Sequence, residues 1–376
     1  MRIGIRVSPR SSGGGRAFVE NLCRELADVR GCDRVHTFVM GDLETSSFDL
    51  PDQIAVPVPA DPLRRRLQGR RALTDAVAEN PVDVLVAPGN EVSRVPGVPT
   101  LMWPLTVAPF EYAAMAELGS TLKERVRWRA LRQAIRTAAK QADGFVFSSH
   151  YTRALYREGV PVVRGATTTV IPPASTVLAD SRGSEIPGLP DEYLLFVSHL
   201  YPYKMVVEMI EGYALAHRSG VSQHLVIAGN AVNPSYSARI DETIRLLGVG
   251  DVVHLLGGVP QADLPALYQG AELFLFPSLS ENAGSFAVID AFTFGLPVLA
   301  SGMSSVPEAC QDAARYFDPR DPEQLSAEIR RVTSDPDVRA DLARRSNARA
   351  GEYLGWRQIA EALVEFAHRV HRNVHP

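Results

Sequence analysis

The sequence predicts an α/β chain of two domains, and three observations carry that prediction. Short apolar runs alternate with helix-periodic stretches from Ile3 to Ala300, the pattern of parallel strands joined by right-handed crossovers. Between Val177 and Asp191 the composition turns to Asp, Ser, Gly and Pro, as in a linker, and a second strand–helix series opens at Tyr193. The length, 376 residues, exceeds what one ordinary core organises and suits two. The expected boundaries are residues 1–176 for the first domain and 177–354 for the second. A C-terminal helix, 355–376, is expected to pack back on the first domain with Leu363, Phe366 and Val370 as its buried stripe.

Ile3–Val7 reads as the first strand, followed by the glycine run Gly13-Gly14-Gly15 and a helix with apolar Phe18, Val19, Leu22 and Leu26. Glycines between a strand and a helix let backbone approach a ligand, although this run is not the dinucleotide fingerprint, whose third glycine would fall at Phe18. Thr37–Met40, Asp83–Ala87, Thr100–Trp103, Gly144–Ser148 and Thr169–Ile171 supply further strands. The loop after Trp103, with Pro104 and Thr106, lies where open α/β sheets place ligands. In the second half, strands are expected at Tyr193–Ser198, Leu225–Ala228, Val252–Leu256, Glu272–Phe276 and Pro297–Ala300. Helices near Pro322–Thr333, Pro336–Ala350 and Trp356–His371 complete the chain.

Composition narrows the function. Apolar residues make up 45% of the chain and no apolar stretch approaches the ~20 residues that cross a bilayer. The three cysteines, Cys23, Cys32 and Cys310, form no CxxC and no zinc-spaced cluster, so a reducing, cytoplasmic setting without structural metal is expected. The net charge of −4 divides unevenly: residues 1–175 carry +5 and residues 176–376 carry −9. Seven basic residues lie between Lys123 and Lys140, on an expected helix over 121–140. That helix reads either as a solvated face or as a peripheral contact with anionic membrane. No nucleic-acid partner is expected, and there is no G-x-S-x-G nucleophile elbow.

The most informative stretch is Phe276–Ala300. An apolar strand stops at Pro277, a small polar loop follows, and helix-period Phe286, Ile289 and Phe292 take over before Gly295 and Pro297 close the element. A helix leaving a parallel strand turns unpaired N–H groups toward the sheet's carboxyl edge, where an anion can sit. Asn282, Ala283, Gly284 and Ser285 occupy that loop and helix start. Two carboxylates bracket the edge. Glu281, in the loop, is the more exposed. Asp290 stands among apolar residues and must bind either ligand hydroxyls, such as those of a ribose, or hydrogen bonds of the protein. Lys204 and His199 lie just beyond the strand Tyr193–Ser198, and Asn230 lies beyond Leu225–Gly229 at a neighbouring strand end. The lysine suits a diphosphate; the histidine suits either the same phosphate or a strand cap.

Three stretches, Phe196–Lys204, Glu281–Asp290 and Ser304–Pro319, resemble the GT-B glycosyltransferases, and among them the retaining glycogen-synthase-like family 4, the glycosyl transferases group 1. The resemblance covers the second half strongly and the first half in layout, with Pro109-Phe110 and Ser148–Thr152. It implies two Rossmann-like domains, doubly wound about parallel sheets and facing across a cleft. Departures are visible. The family's donor arginine falls on His199, a pH-dependent cation. Its second glutamate falls on Asp290, and Glu281 and Asp290 are nine apart where eight is usual, so strict register would select Asn282; one extra loop residue keeps Glu281.

The resemblance implies a metal-independent retaining transferase without cofactor. It would move a hexose or deoxyhexose of the mannose, rhamnose or glucose class from a nucleoside-diphosphate sugar to a hydroxyl of a glycan, lipid-linked sugar or small molecule. Lys204 and Glu281 would be catalytic. His199, Lys204, Glu281, Asn282, Ala283, Gly284, Ser285, Asp290 and Asn230 would bind the donor, and Gly13, Gly14, Gly15, Pro104 and Thr106 would lie on the acceptor side. The rival expectations are a nucleotide-sugar epimerase or hydrolase on the same fold, and a non-catalytic nucleotide-sugar-binding partner.

Overall fold

The structure, a computed structural model, describes all but residues 9–13, 42–47, 49, 60–61, 112–121, 178–180, 182, 185, 284 and 376, and only the backbone of residues 62–67, 123 and 124. The described residues divide into two compact units. One draws on Met1–Tyr112, Ser120–Ala174 and Leu354–Pro376; the other is Ser175–Tyr353.

The first unit runs β1 (Arg2–Val7), α1 (Gly14–Leu26), β2 (Arg34–Met40), β3 (Gln53–Val56), α2 (Pro62–Glu79), β4 (Val84–Pro88), β5 (Thr100–Trp103), α3 (Leu122–Ala139), β6 (Gly144–Phe147), α4 (His150–Gly159) and β7 (Thr167–Val170). Its seven strands are ordered β3-β2-β1-β4-β5-β6-β7, with every paired neighbour parallel. The second unit runs β8 (Tyr193–Val197), α5 (Val206–Arg218), β9 (His224–Ala228), α6 (Pro234–Leu247), β10 (Val253–Gly257), α7 (Leu264–Gly270), β11 (Leu273–Phe276), α8 (Phe286–Thr293), β12 (Val298–Ser301), α9 (Val306–Cys310), β13 (Ala314–Phe317), α10 (Pro322–Ser334) and α11 (Pro336–Glu352). Its six parallel strands are ordered β10-β9-β8-β11-β12-β13. Both sheets are therefore Rossmann-like and doubly wound. In each, the order reverses beside the first strand, and the crevice outside the carboxyl ends at that point is where such sheets hold ligands.

Central parallel strands are covered on both faces, which is why they read as unbroken apolar runs. β11 and β12 are buried throughout. The sequence leaves two edge strands unmarked. β3 (QIAV) is mostly half-exposed and β13 (ARYF) carries Arg315 and Tyr316 on its half-buried positions, so neither presents the apolar run that betrays a central strand. Ser149, Asn233, Asp321 and Asp335 cap their helices by accepting backbone N–H groups, and Pro opens α6, α10 and α11.

The final helix, α12 (Trp356–Val374), belongs to the first unit. Its buried face includes Ile359, Leu363, Phe366 and Val370. Trp356 meets Phe18 of α1 edge-on, with centroids 5.7 Å apart. A Cβ at Gly144, the first residue of β6, would lie 2.8 Å from Val370, so the helix lies directly on that strand.

One glycine fixes the geometry at the exit of the second sheet. Gly229, just past β9, has φ +158°, and a Cβ there would lie 1.6 Å from the Ser198 carbonyl oxygen. The segments leaving β8 and β9 thus run in backbone contact, with Leu200 N–H donating to Asn230 O at 3.0 Å. No helix among the described residues is long and apolar enough to cross a membrane.

Candidate active site

At the carboxyl edge of the second sheet, β8 ends at Val197 and the chain passes through His199 into the short 3₁₀ turn Pro202–Lys204. Met205 then takes a left-handed conformation, φ 52°, and reverses the chain into α5. The turn is tied to the segment after β11, because Leu279 N–H donates to Tyr203 O at 2.8 Å. Lys204 enters the space between two rings, its Nζ 5.5 Å from the Tyr203 centroid and 5.4 Å from that of Phe276, the last residue of β11. There it forms a direct ion pair with Glu281.

The pair is interior: Lys204 is 6% and Glu281 9% exposed. Glu281 is the more exposed of the two carboxylates, as expected, but both are buried, Asp290 at 2%. The backbone of Glu281 is held by two serines beyond β12. Ser304 Oγ accepts from Glu281 N–H at 3.0 Å and lies 2.9 Å from its carbonyl oxygen, while Ser305 Oγ donates to that carbonyl at 2.7 Å. Neither serine is among the sequence-derived site residues. The signal for them was the Ser304–Pro319 run, which the sequence shows as a family match without a role.

His199 sits edge-on to Tyr201, centroids 6.4 Å apart, and both its ring nitrogens are buried without a hydrogen-bond partner. Burial first, and the Lys204 charge second, hold its pKa below the usual imidazole range. A neutral ring beside an ammonium, with a nitrogen to spare, suits a phosphate oxygen: it can donate one hydrogen bond, and an arriving dianion would favour its protonation. Asn230 is exposed past β9, with its side chain against Gly258. Asn282 and Ala283 are half-buried, and Gly284 lies outside the described residues. Ser285 precedes α8 at φ 71°, and its side chain makes no capping hydrogen bond.

Of the two sequence readings of Asp290, ligand hydroxyls or hydrogen bonds of the protein, the structure shows hydrogen bonds of the protein. Oδ1 accepts from Ser175 Oγ at 2.8 Å and Thr176 N–H at 2.7 Å, and Oδ2 accepts from Thr176 Oγ1 at 2.7 Å. Thr176 Oγ1 in turn accepts from Gln261 Nε2 at 2.8 Å. These hydrogen bonds fasten Asp290, on α8, to the first residues of this unit. Burial pushes its pKa up to about 6, with the Thr176 and Ser175 hydrogen bonds opposing the shift.

In the first unit, Gly13 lies outside the described residues, and Gly14 and Gly15 open α1. A Cβ at Gly15 would meet nothing within 4 Å, so no close approach requires that glycine. Pro104 is buried after β5, and the Thr106 carbonyl accepts from Tyr156 Oη at 3.0 Å. The glycines follow β1 and the Pro104–Thr106 loop follows β5, with β4 between those strands.

Residues 180–349 match the family model described as glycosyl transferases group 1. A D-inositol 3-phosphate glycosyltransferase of Thermobispora bispora is 29% identical over 299 residues, covering 74% of this chain and 68% of that protein. Two further matched mannosyltransferases are spanned over 42% and 31% of their length. Among solved structures, the sucrose-phosphate synthase of Thermosynechococcus elongatus superposes with TM-score 0.78 at 17% identity, over 99% of both chains. Anabaena Alr3699/HepE, solved in complex with UDP and glucose, superposes with TM-score 0.75 at 15% identity, over 98% of this chain and 100% of the other. These structural likenesses establish the fold.

Two predictions follow from this geometry. Removing one member of a buried ion pair strands the other charge at a cost of about 3–5 kcal/mol, whereas replacing both by apolar groups is near neutral. K204M and E281L should each lose that much in denaturant unfolding, and K204M/E281L should recover most of it; an additive double variant would contradict the pairing. For Asp290, a raised folded pKa gives stability that is complete below about pH 4 and is lost as pH rises through about 6. The unfolding free energy of wild type relative to D290N should therefore fall by roughly 2 kcal/mol between pH 4 and pH 7. A flat difference would show that the aspartate titrates normally.

Proposed function

Because residues 180–349 belong to the glycosyl transferases group 1 and the chain takes the two-domain GT-B fold, we propose that the protein is a retaining glycosyltransferase using a nucleoside-diphosphate sugar. The observation that carries this proposal is the interior Lys204–Glu281 pair beside the unpartnered nitrogens of His199, at the carboxyl edge where β8 and β11 end. As the bond from the anomeric carbon to the diphosphate breaks, its electron pair goes to the β-phosphate oxygen. Lys204 turns from Glu281 toward that charge, His199 donates to the same phosphate, and both act where surrounding water is scarce and the field is strong. Glu281, released, accepts hydrogen bonds from the sugar hydroxyls. The acceptor oxygen enters on the face the diphosphate leaves, and its hydroxyl proton passes to the departing β-phosphate oxygen as the new bond forms. Charge neutralisation assigned to Lys204 and His199 leaves no role that requires a metal.

UDP is the favoured carrier, since the similar HepE binds UDP with glucose, and the mannose-, rhamnose- or glucose-type sugars remain the donor class. The acceptor, a glycan, lipid-linked sugar or small molecule, is assigned to the first unit near Gly14, Gly15, Pro104 and Thr106. Peripheral membrane contact accords with α3, where Leu122 and Val126 are 79% and 57% exposed beside exposed Arg125, Arg127 and Arg129.

A thermal-shift screen with UDP-, GDP- and dTDP-sugars tests the proposal. A donor at a hundred times its dissociation constant adds about 2.7 kcal/mol to stability. One nucleotide family should give that shift, and K204A should abolish most of it. An undiminished shift in K204A would remove the lysine from the donor site. Rapid donor turnover without any acceptor would replace transfer by epimerisation or hydrolysis.

A further inference from the structure

The first unit has a crevice of its own at its order reversal, between β1 and β4. Arg6 stands there as the penultimate residue of β1. A charged residue in a central strand is unusual, and this one is only 6% exposed. Its Nη2 donates to Glu91 Oε2 at 2.7 Å, three residues beyond the end of β4, but its Nε is buried without a partner. The two members of the pair are unequally placed: the guanidinium side chain is 7% exposed and the carboxylate side chain 71%. The cation is fixed inside the fold, while the anion reaches it from solvent and is little committed. A buried guanidinium with an unused N–H carries a desolvation cost that an oxyanion able to engage the remaining fork would relieve. Polar handles lie at the neighbouring strand ends. Tyr156 Oη sits 3.3 Å from Asn90 Oδ1, beyond β4, and Trp103 Nε1 at the end of β5 donates to Ser148 Oγ at 2.9 Å.

We infer that Arg6 is an anion-binding residue of the first unit, that Glu91 stands in for the ligand's anionic group, and that the ligand is an acceptor carrying a phosphate monoester or a carboxylate. Only the word acceptor rests on the proposed transferase activity; the oxyanion site does not. The planar fork of Arg6 would hold two oxygens of the group, with Nε supplying the donor that Glu91 leaves unused. Glu91 swings outward at little cost because it is already solvated. The hydroxyl-bearing part of the ligand would lie toward Asn90 and Tyr156.

Inorganic phosphate and glucose 6-phosphate are the probes, titrated calorimetrically into protein already saturated with UDP, at constant ionic strength, so that the donor site is filled. Wild type should bind both, and R6Q should weaken binding of each at least tenfold. E91Q, at an exposed position that does not threaten folding, should tighten both at least threefold because the competing carboxylate is gone. Equal binding by R6Q and wild type, or no tightening in E91Q, would overturn the assignment. Uncharged glucose matching glucose 6-phosphate would do so as well. Failure of UDP itself to bind would instead count against the transferase proposal, and phosphate binding to R6Q and E91Q would still be read.

Discussion

The ion pair between Lys204 and Glu281 is the constraint around which the second unit's functional edge is arranged. Two opposite buried charges in low dielectric can neither be separated cheaply nor left unpositioned. The fold accordingly fixes both ends: a tight turn after β8 and the Tyr203 and Phe276 rings for the lysine, and the Ser304 and Ser305 hydroxyls for the glutamate backbone. Gly229 lets the segments leaving β8 and β9 come close enough for His199 to stand beside this arrangement. A pair made this way is poised rather than inert. In the proposed function, a diphosphate would offer Lys204 a stronger partner than one carboxylate, and sugar hydroxyls would offer Glu281 neutral donors in exchange.

Asp290 is the second buried acid of this unit, and from α8 it collects donors from Ser175 and Thr176. It therefore joins the helix behind the site to the point where the chain enters the second unit. The first unit presents a contrasting economy: Arg6 is buried with one solvent-borne partner and an unused donor, the condition of a group whose main partner arrives from outside.

Much of the fold was legible in the residues because central parallel strands must be apolar on both faces. Tyr193–Val197, Leu273–Phe276 and Val298–Ser301 declare themselves for that reason. Edge strands such as Gln53–Val56 do not, since solvent covers part of them and their pattern is mixed. At the site, Lys204, His199 and Glu281 could be picked out because local context places them at strand ends. What could not be read was the pairing across long separations. That Glu281 would be buried against Lys204, or that Asp290 would meet Ser175, depends on tertiary closure and leaves no local trace. Arg6 escaped notice for the same reason: its strand reads as a strand whether or not its charge is used.

The chain contains three lysines, Lys123, Lys140 and Lys204, so selective ¹⁵N labelling of lysine side chains isolates the central group almost completely. Burial and pairing should slow proton exchange at Lys204 enough to give an observable ammonium signal, unlike that of exposed Lys140. Saturating UDP should shift the Lys204 signal and leave the Lys140 environment unchanged, as expected if the ammonium leaves Glu281 for the diphosphate. A Lys204 signal identical with and without UDP, in protein shown to bind it, would contradict the account.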